Sequence, residues 1–340
     1  MERTPALMSF KDIQGQDRAI GLLRRALSRD KVHHAYLFTG PDGIGKKKTA
    51  LEMAKALNCR QPGPEGGCDS CESCLKIEKN CHPDLIYLKP EKTQITIDQI
   101  RELEEQLAYP PFGNRYRLIL LDKASDLNVW AANAFLKTLE EPPSGNIFVL
   151  LANDPGELLP TLVSRCLPLN FSPLSLDLIS RLLITNQGSD PERAQVISRV
   201  SGGSLGRAYH LFEKFSEEKS WGKNLESWLR QLESLSLGTL SPLIAGVKDW
   251  LGSREQMQEA LEIGGSCMRD ILWLRNGLED LVFLPANYKE RLKELAFRCP
   301  ERTWLKGYDL ITQTAQDLLR QVNPQLTWEM LWIDLARAAH

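Results

Sequence analysis

The chain has 340 residues, of which 42% are hydrophobic and 25% charged, and its formal net charge is −2 at pH 7. This composition is typical of a soluble globular protein with two or three domains, and no apolar run reaches membrane-spanning length. A near-neutral charge excludes a uniformly basic surface, so any contact with nucleic acid must be local. The first residues, Met1–Pro5, do not form a signal peptide.

The first predicted elements are a helix over residues 16–29 and a strand over residues 35–39. A glycine-rich loop, Gly40–Lys47, follows the strand and opens into a helix that continues to about Leu57. Strand, loop and helix provide the setting of a phosphate-binding loop, because the glycines turn N–H groups inward and the helix N-terminus adds partial positive charge. The predicted nucleotide-binding residues in this loop are Gly40, Gly43, Gly45 and Lys46.

The last residue of this loop departs from the phosphate-binding pattern. Ser or Thr is required there, because its hydroxyl ligates magnesium. This chain has Lys47, and an ammonium cannot coordinate a cation. We therefore expect a loop that can hold phosphate groups but is poorly suited to hold the metal.

Residues 59–81 interrupt the helical pattern, since Gln61–Gly67 contains two prolines and three glycines. Four thiols with close spacing lie in this segment, and in an unsecreted chain they favour metal ligation over disulfides. We predict a structural zinc, because four thiolates leave no open position for water; the alternative is four free buried thiols. The predicted ligands are Cys59, Cys68, Cys71 and Cys74.

Further predicted strands alternate with helices up to residue 171. Thr96 and Gln99 form the pattern of a capping box in front of one of these helices. The alternation predicts a doubly wound, mostly parallel α/β sheet with ligands at the carboxyl ends of its strands. The predicted strands are residues 84–88, 117–123, 147–152 and 167–171, and the predicted helices include residues 97–107, 128–139 and 158–163.

The strands stop after Pro173, and the rest of the chain is predicted to be helical. Seven of the eight tryptophans lie beyond residue 220, which marks a further change of composition. We predict an α/β domain over residues 1–172 with the zinc module at 59–74, a small helical domain over 173–212, and an all-α domain over 213–340.

Asp122 ends a predicted strand and is placed like the carboxylate that supports magnesium in nucleotide hydrolases. The next residue in such enzymes is commonly a Glu that activates water, but here it is Lys123. Lysine is protonated at neutral pH and is a poor base. Lys47 and Lys123 thus oppose hydrolysis at two independent points; the alternative is that Asp122 and Lys123 merely end a strand in solvent.

Arg165 stands in the segment Ser164–Cys166 at the start of the last predicted strand. A lone arginine at such an edge is usually a surface charge. It could also stabilise a transferring phosphate on a neighbouring subunit, as an arginine finger does. Composition does not choose between these two interpretations.

Several of these segments together resemble the delta-prime subunits of the bacterial DNA polymerase III clamp loader, within the AAA+ superfamily. The resemblance covers about residues 10–210. The motor subunits of that machine, gamma or tau, share the same segments but keep Ser or Thr and Asp-Glu where this chain has Lys47 and Lys123. The matching segments are His34–Phe38, the four-cysteine module, His82–Asp84, Ala131–Pro143 and Ser164–Cys166.

The resemblance implies an AAA+ core, a helical lid and a C-terminal helical collar. It also implies a stator subunit that donates Arg165 as an arginine finger to an adjacent motor subunit and has no ATPase activity of its own. Its partners would be gamma/tau and delta subunits in a hetero-pentameric ring, which loads the sliding clamp on primed DNA during replication in the bacterial cytoplasm. The machine is part of the DNA polymerase (nucleotidyltransferase) holoenzyme, and ATP or ADP remains a candidate ligand of the loop.

Two other functions stay open at this stage. The chain could be an ATP-hydrolysing gamma/tau-type motor of the same ring, in which Thr49 or a lysine with a shifted pKa takes over the missing roles. It could also be a sensor that binds nucleotide without turnover. ATP binding and turnover by the purified chain would distinguish these functions.

Overall fold

The computed structural model describes residues 9–91, 94–113, 115–216, 218–237, 254–282, 284, 286–319 and 323–339. The chain divides into two compact units, Met1–Gly188 with Ser201–Tyr209, and Ser189–Val200 with His210–His340. Part of the predicted all-α domain, residues 238–253, lies outside the described residues. The three-domain division at residues 172 and 212 stays a prediction.

The first unit is built on a parallel sheet whose strand order is β2-β3-β4-β1-β5. The predicted doubly wound α/β sheet is confirmed, since all pairs of neighbouring strands are parallel. The strands are β1 (Ala35–Thr39), β2 (Leu85–Leu88), β3 (Arg117–Leu121), β4 (Asn146–Ala152) and β5 (Leu167–Asn170).

Helices cover both faces of this sheet. The predicted capping box in front of α4 is present, with Thr96 and Gln99 bonded to each other's backbone N–H groups. A short helix, α3, lies inside the segment that the sequence predicts as irregular. The helices are α1 (Asp17–Ser28), α2 (Lys46–Asn58), α3 (Glu72–Glu78), α4 (Ile97–Leu107), α5 (Val129–Glu140), α6 (Pro160–Val163) and α7 (Leu176–Gln187).

Residues of the interior strand β1, which lies between β4 and β5, alternate between two apolar layers. Tyr36 and Phe38 lie in one layer with buried side chains of α1 and α2. Ala35 and Leu37 lie in the other layer with side chains of α4 and α5. A strand covered on both faces needs a continuous apolar sequence, which is why β1 carries no alternating pattern. Each fully buried large side chain contributes roughly 1.5–3 kcal/mol to folding.

The second unit is helical throughout its described part. Its core contains the fully buried Trp228, Trp304 and Trp328. Among the described helices of the chain, none combines the length and apolar character needed to cross a membrane. The remaining helices are α8 (Pro191–Val200), α9 (Leu205–Ser216), α10 (Glu218–Ser236), α11 (Arg254–Arg275), α12 (Lys289–Arg298), α13 (Glu301–Leu319) and α14 (Pro324–Ala339), of which α9 belongs in part to each unit.

Candidate functional site

The carboxyl ends of three parallel strands bring the candidate nucleotide-binding residues to one edge of the sheet. The glycine loop follows β1, Asp122 follows β3 and Asn153 follows β4. The N–H of Gly40 donates to the carbonyl of Asn153 at 3.1 Å, which ties the start of the loop to the neighbouring strand. This is the edge at which open α/β sheets bind ligands.

Two positions of the loop require glycine, because their φ angles are positive and neighbouring atoms leave no room for a Cβ. Gly40 has φ +138°, and a Cβ built on it would lie 2.3 Å from the carbonyl oxygen of Phe171. Gly43 has φ +74°, and its Cβ would lie 2.4 Å from the Ser204 hydroxyl. A side chain at either position would therefore force the backbone to move.

Lys46 begins α2 and is almost fully buried, with 6% of its surface exposed. Its ammonium donates to the carbonyl oxygens of Gly40 and Ala152, the latter at 3.0 Å, and to the side-chain oxygen of Asn153 at 2.9 Å. Burial lowers the pKa of Lys46. A bound phosphate would have to compete with these three oxygens for the ammonium.

Lys47, Tyr87 and Asp122 form a polar cluster beside the loop. The Lys47 ammonium donates to the Tyr87 hydroxyl at 2.7 Å and lies 3.7 Å from the Asp122 carboxylate. The Tyr87 hydroxyl in turn donates to Asp122. Burial and the hydrogen bond to Asp122 raise the pKa of Tyr87, so this hydroxyl stays protonated. The residue that replaces the expected magnesium ligand thus contacts the carboxylate that supports magnesium in hydrolases.

Neither Thr49 nor Lys123 can supply the groups that a nucleotide hydrolase needs and this chain lacks, namely the hydroxyl that ligates magnesium and the base that activates water. The Thr49 side chain is fully buried, and its hydroxyl donates to the carbonyl of Gly45 at 2.9 Å. Lys123 is exposed and has a left-handed backbone conformation with φ +54°. No carboxylate follows Asp122 in the position where a hydrolase carries its base.

The loop also contacts residues that the sequence patterns do not single out. The Ser204 hydroxyl donates to the carbonyl of Asp42 at 2.7 Å, and the N–H of Gly206 donates to the carbonyl of Gly43 at 2.8 Å. The buried amide of Gln16 donates to the carbonyl of Ile44 at 3.3 Å. Gln16 also lines a cavity of about 330 Å³ between α1 and β5. Among the contacting residues that were not predicted as site residues, Asn153 alone has a sequence signal, because it stands immediately after a buried strand.

The four predicted zinc ligands are gathered in one place. The sulfurs of Cys59, Cys68, Cys71 and Cys74 all lie within 4.8 Å of one another, so the cluster can hold a metal ion. Backbone N–H groups already point at two of the sulfurs: Cys68 donates to Cys59 at 3.2 Å, and Cys71 donates to Cys68 at 3.3 Å. Burial raises the pKa of the Cys74 thiol, so metal uptake at this sulfur has to release a proton.

A buried ion cluster lies next to the cysteines. Lys55 of α2 contacts Glu52 and Asp69 at 3.0 Å each and also contacts Glu78 of α3. Burial lowers the pKa of Lys55, but the three carboxylates outweigh this effect and raise it. Burial raises the pKa of Glu52 to about 7, although Lys55 opposes the shift. The cluster joins α2, which starts at the glycine loop, to the cysteine module.

Arg165 lies between α6 and β5, away from the glycine loop in sequence. Its guanidinium donates to the Glu140 carboxylate and, at 2.9 Å, to the carbonyl of Thr161. One third of the side chain, 33%, is exposed. The arginine is therefore held by its own subunit while part of the guanidinium-bearing side chain faces solvent.

Comparison with known proteins gives consistent results for the first unit. Residues 15–175 match the family described as DNA polymerase III, delta subunit. The Bacillus subtilis DNA polymerase III subunit delta′ is 36% identical over 216 residues, which cover 63% of this chain and 65% of that subunit. The Salmonella typhimurium subunit tau is 35% identical over 211 residues, which cover 61% of this chain and 33% of that subunit. The chain thus spans less than two thirds of either relative.

A solved structure of a DNA polymerase III gamma subunit-related protein from Thermotoga maritima is 17% identical. The alignment of the two structures covers 95% of this chain and 100% of that chain, with a TM-score of 0.44. The family match, over residues 15–175, includes the glycine loop, the cysteine module and Arg165. Through residues 15–175, therefore, the chain is similar in sequence to subunits of DNA polymerase III, among them delta′ and tau.

Proposed function

We propose that the chain is a delta-prime-type stator of a clamp loader, which assembles with motor subunits but does not hydrolyse ATP itself. The observation that carries this proposal is the contact of Lys47 with Asp122, 3.7 Å apart. Hydrolysis of a nucleoside triphosphate needs a metal held by oxygen ligands and a group that positions the attacking water. Here an ammonium contacts the carboxylate that should support the metal.

The stator would act on its neighbour through Arg165. An arginine that reaches the phosphates of an adjacent subunit must carry its charge at a surface, and Arg165 is one-third exposed. Its bond to Glu140 holds the guanidinium in place before assembly. The neighbour would be a gamma/tau-type motor in a hetero-pentameric ring with delta, and the whole assembly would load the sliding clamp on primed DNA.

The test is Arg165→Ala in the clamp loader reconstituted with its motor and delta subunits. We expect an intact fold and assembly but slower ATP hydrolysis. Arginine fingers contribute on the order of 10³-fold or more in GTPases, and a ring with several sites should lose less. Unchanged ATPase and clamp-loading rates would contradict the role of Arg165.

Glu140→Ala is the matched control, because it removes the intramolecular partner of Arg165 and leaves the guanidinium. If Arg165 acts on a neighbour, Glu140→Ala keeps most of the ATPase activity that Arg165→Ala loses. If the ion pair only stabilises its own subunit, the two substitutions have the same effect.

A motor function is the second candidate, because tau is as similar to this chain as delta′ is. The purified chain would then hydrolyse ATP with magnesium, and Lys46→Ala would abolish the turnover. The burial of Thr49 and its bond to Gly45 favour the stator, since that hydroxyl is already engaged. Absence of turnover is the expected result.

We also propose that the metal of the cysteine cluster is a structural zinc. Four sulfurs within 4.8 Å match a closed tetrahedral site, which leaves no position for a reacting water. We expect one zinc per chain and a lower thermal midpoint after chelation. Full removal of zinc with no change in the midpoint would contradict a role in folding.

A further inference from the structure

The donor set beside the glycine loop does not fit a magnesium ion. Magnesium requires oxygen ligands in near-octahedral geometry, and position 47 offers a protonated nitrogen. The Asp122 carboxylate already accepts a hydrogen bond from Tyr87 and lies 3.7 Å from the Lys47 ammonium. A divalent cation at Asp122 would meet a like charge at close range.

Lys47 is held at this place by two kinds of contact. Its ammonium donates to the Tyr87 hydroxyl at 2.7 Å and lies 4.2 Å from the centre of the Tyr87 ring. A cation over an aromatic face is stabilised by the ring quadrupole. Tyr87 therefore positions the charge of Lys47 next to Asp122, while 44% of the lysine side chain stays exposed.

The rest of the loop keeps the features that bind phosphate. Gly40, Gly43 and Gly45 have positive φ angles of 138°, 74° and 106°, which only a residue without Cβ adopts readily. Lys46 is present and buried at the start of α2. The phosphate-binding half of the motif is thus intact, and only the metal-binding half is replaced.

We propose that the Lys47 ammonium takes the place of the divalent cation, so that the loop binds the terminal phosphates of a nucleoside triphosphate without metal. Lys46 and Lys47 would then provide the positive charge that a lysine and a metal provide in a hydrolase. The site would hold nucleotide without the metal that makes phosphoryl transfer fast. This deepens the non-hydrolysing role proposed above, since it gives the altered loop a ligand.

The test is binding of ATP to the purified full chain, measured by calorimetry in excess magnesium and again in excess EDTA. We expect ATP to bind in EDTA at least as tightly as in magnesium, because metal-free ATP is the ligand and excess magnesium withdraws it into a complex in solution. Lys47→Thr restores the hydroxyl, and we expect EDTA to weaken its ATP binding by about tenfold or more. Lys48→Thr is the matched control, because Lys48 lies next in the chain and contacts the carbonyl of Asp12 instead. EDTA should not weaken ATP binding by this variant.

Three results would overturn the proposal: no ATP binding by the unaltered chain, ATP binding that requires magnesium, or ATP binding by Lys47→Thr that EDTA does not weaken. Lys47→Arg retains the charge and should retain metal independence, so the proposal stays testable if Lys47→Thr does not fold. These outcomes are separate from the stator role, which depends on the ATPase rate of the assembled ring with Arg165→Ala.

Discussion

Lys55 shows how one buried residue can hold two elements together. Its side chain is 2% exposed, and three carboxylates surround its ammonium: Glu52 on its own helix, Asp69 and Glu78. Charges taken out of water are costly unless they are paired, and here one cation serves three anions. Removal of the cation would leave the surrounding carboxyl groups without their counter-charge in a buried place.

We therefore predict that Lys55→Met destabilises the first unit by about 3–5 kcal/mol, the range for one partner removed from a buried ion pair. Denaturant unfolding followed by circular dichroism measures the change. Lys76→Met is the control, since Lys76 pairs with Glu72 at the surface, where water screens the charges and an ion pair contributes little to stability. Similar losses of unfolding free energy in both variants would show that the buried cluster contributes no more to stability than a surface ion pair does.

Through Glu52, the contribution of the same buried cluster to folding stability depends on pH. Its pKa is raised by burial to about 7 in the folded chain from 4.5, so the folded state binds the proton more tightly than the unfolded state does. The stability that comes from this proton is present below about pH 4.5 and is lost as pH rises through about 7. The loss belongs to Glu52 alone and is absent when the side chain cannot ionise.

Glu52→Gln should therefore gain stability relative to the unaltered chain between about pH 5 and about pH 8, by up to about 3 kcal/mol. Both proteins are unfolded with denaturant at each pH with the same metal content, so that the titration of the cysteines cancels in the difference. A difference that does not change with pH would mean that Glu52 has an ordinary pKa in the folded chain.

For single residues, the sequence predicts where a side chain departs from a known motif better than it predicts which side chain that residue will contact. Lys47 is visible as the wrong residue at a fixed motif position. Its partner Tyr87 is forty residues away, and only the pairing of β2 with β3 brings it beside Asp122. Glu140, the partner of Arg165, is hidden for the same reason, because no local pattern links the end of α5 to the start of β5.

The sequence specifies where helix α4 begins, because Thr96 and Gln99 form a capping box at its N-terminus. The Thr96 hydroxyl accepts from the N–H of Gln99 at 3.4 Å, and the Gln99 side chain accepts from the N–H of Thr96 at 3.1 Å. The two bonds satisfy N–H groups that the first helical turn leaves without partners. α4 then places Ile100, Leu103 and Leu107 in the buried layer.

Thr96→Ala should destabilise the first unit by about 1 kcal/mol through loss of this cap. Thermal or denaturant unfolding measures the change. Thr185→Ala removes a threonine from an exposed position within α7 and should change stability by less than about 0.5 kcal/mol. If both substitutions cost the same, the capping bonds of Thr96 are not what stabilises α4.

The elements that could be predicted are those with a strong repeating pattern. The buried strands appear as apolar runs bounded by polar or turn residues, and all five are confirmed. Helix α3 is missed because it is only seven residues long, lies shortly after a segment rich in glycine and proline, and has a cysteine, Cys71, at its N-cap with no side-chain capping bond. Its stability depends on contacts with α2 such as Lys55–Glu78, which a local pattern cannot show.

For the molecule as a whole, the sequence predicts the change from α/β to helical structure after the sheet. It does not predict which residues belong to which compact unit. Residues 189–200 form part of the second compact unit, whereas residues 201–209 return to the first and contact the glycine loop. A single boundary drawn along the sequence cannot describe a chain that passes between the two units three times. The tryptophans, by contrast, mark the second unit correctly, since Trp228, Trp304 and Trp328 form its core.

Close packing around Trp228 gives the last prediction, which concerns the core of the second unit. A Cβ on Gly264 would lie 2.4–2.7 Å from three atoms of the Trp228 ring, whereas a Cβ on Gly265 would meet only a methyl of Ile311 at 3.7 Å. Both glycines lie within α11, where Ala is favoured over Gly by about 0.5–1 kcal/mol. Gly264→Ala should still destabilise the unit by about 1–3 kcal/mol because the Trp228 ring cannot move away without disturbing the core.

Gly265→Ala should be neutral or slightly stabilising, because helix propensity acts there without a clash. Tryptophan fluorescence measures both variants, since seven of the eight tryptophans lie beyond residue 220 and the signal is dominated by the second unit. A stabilising effect of both substitutions would mean that Trp228 does not pack against Gly264. Equal destabilisation would mean that α11 itself, rather than the contact with Trp228, does not tolerate the change.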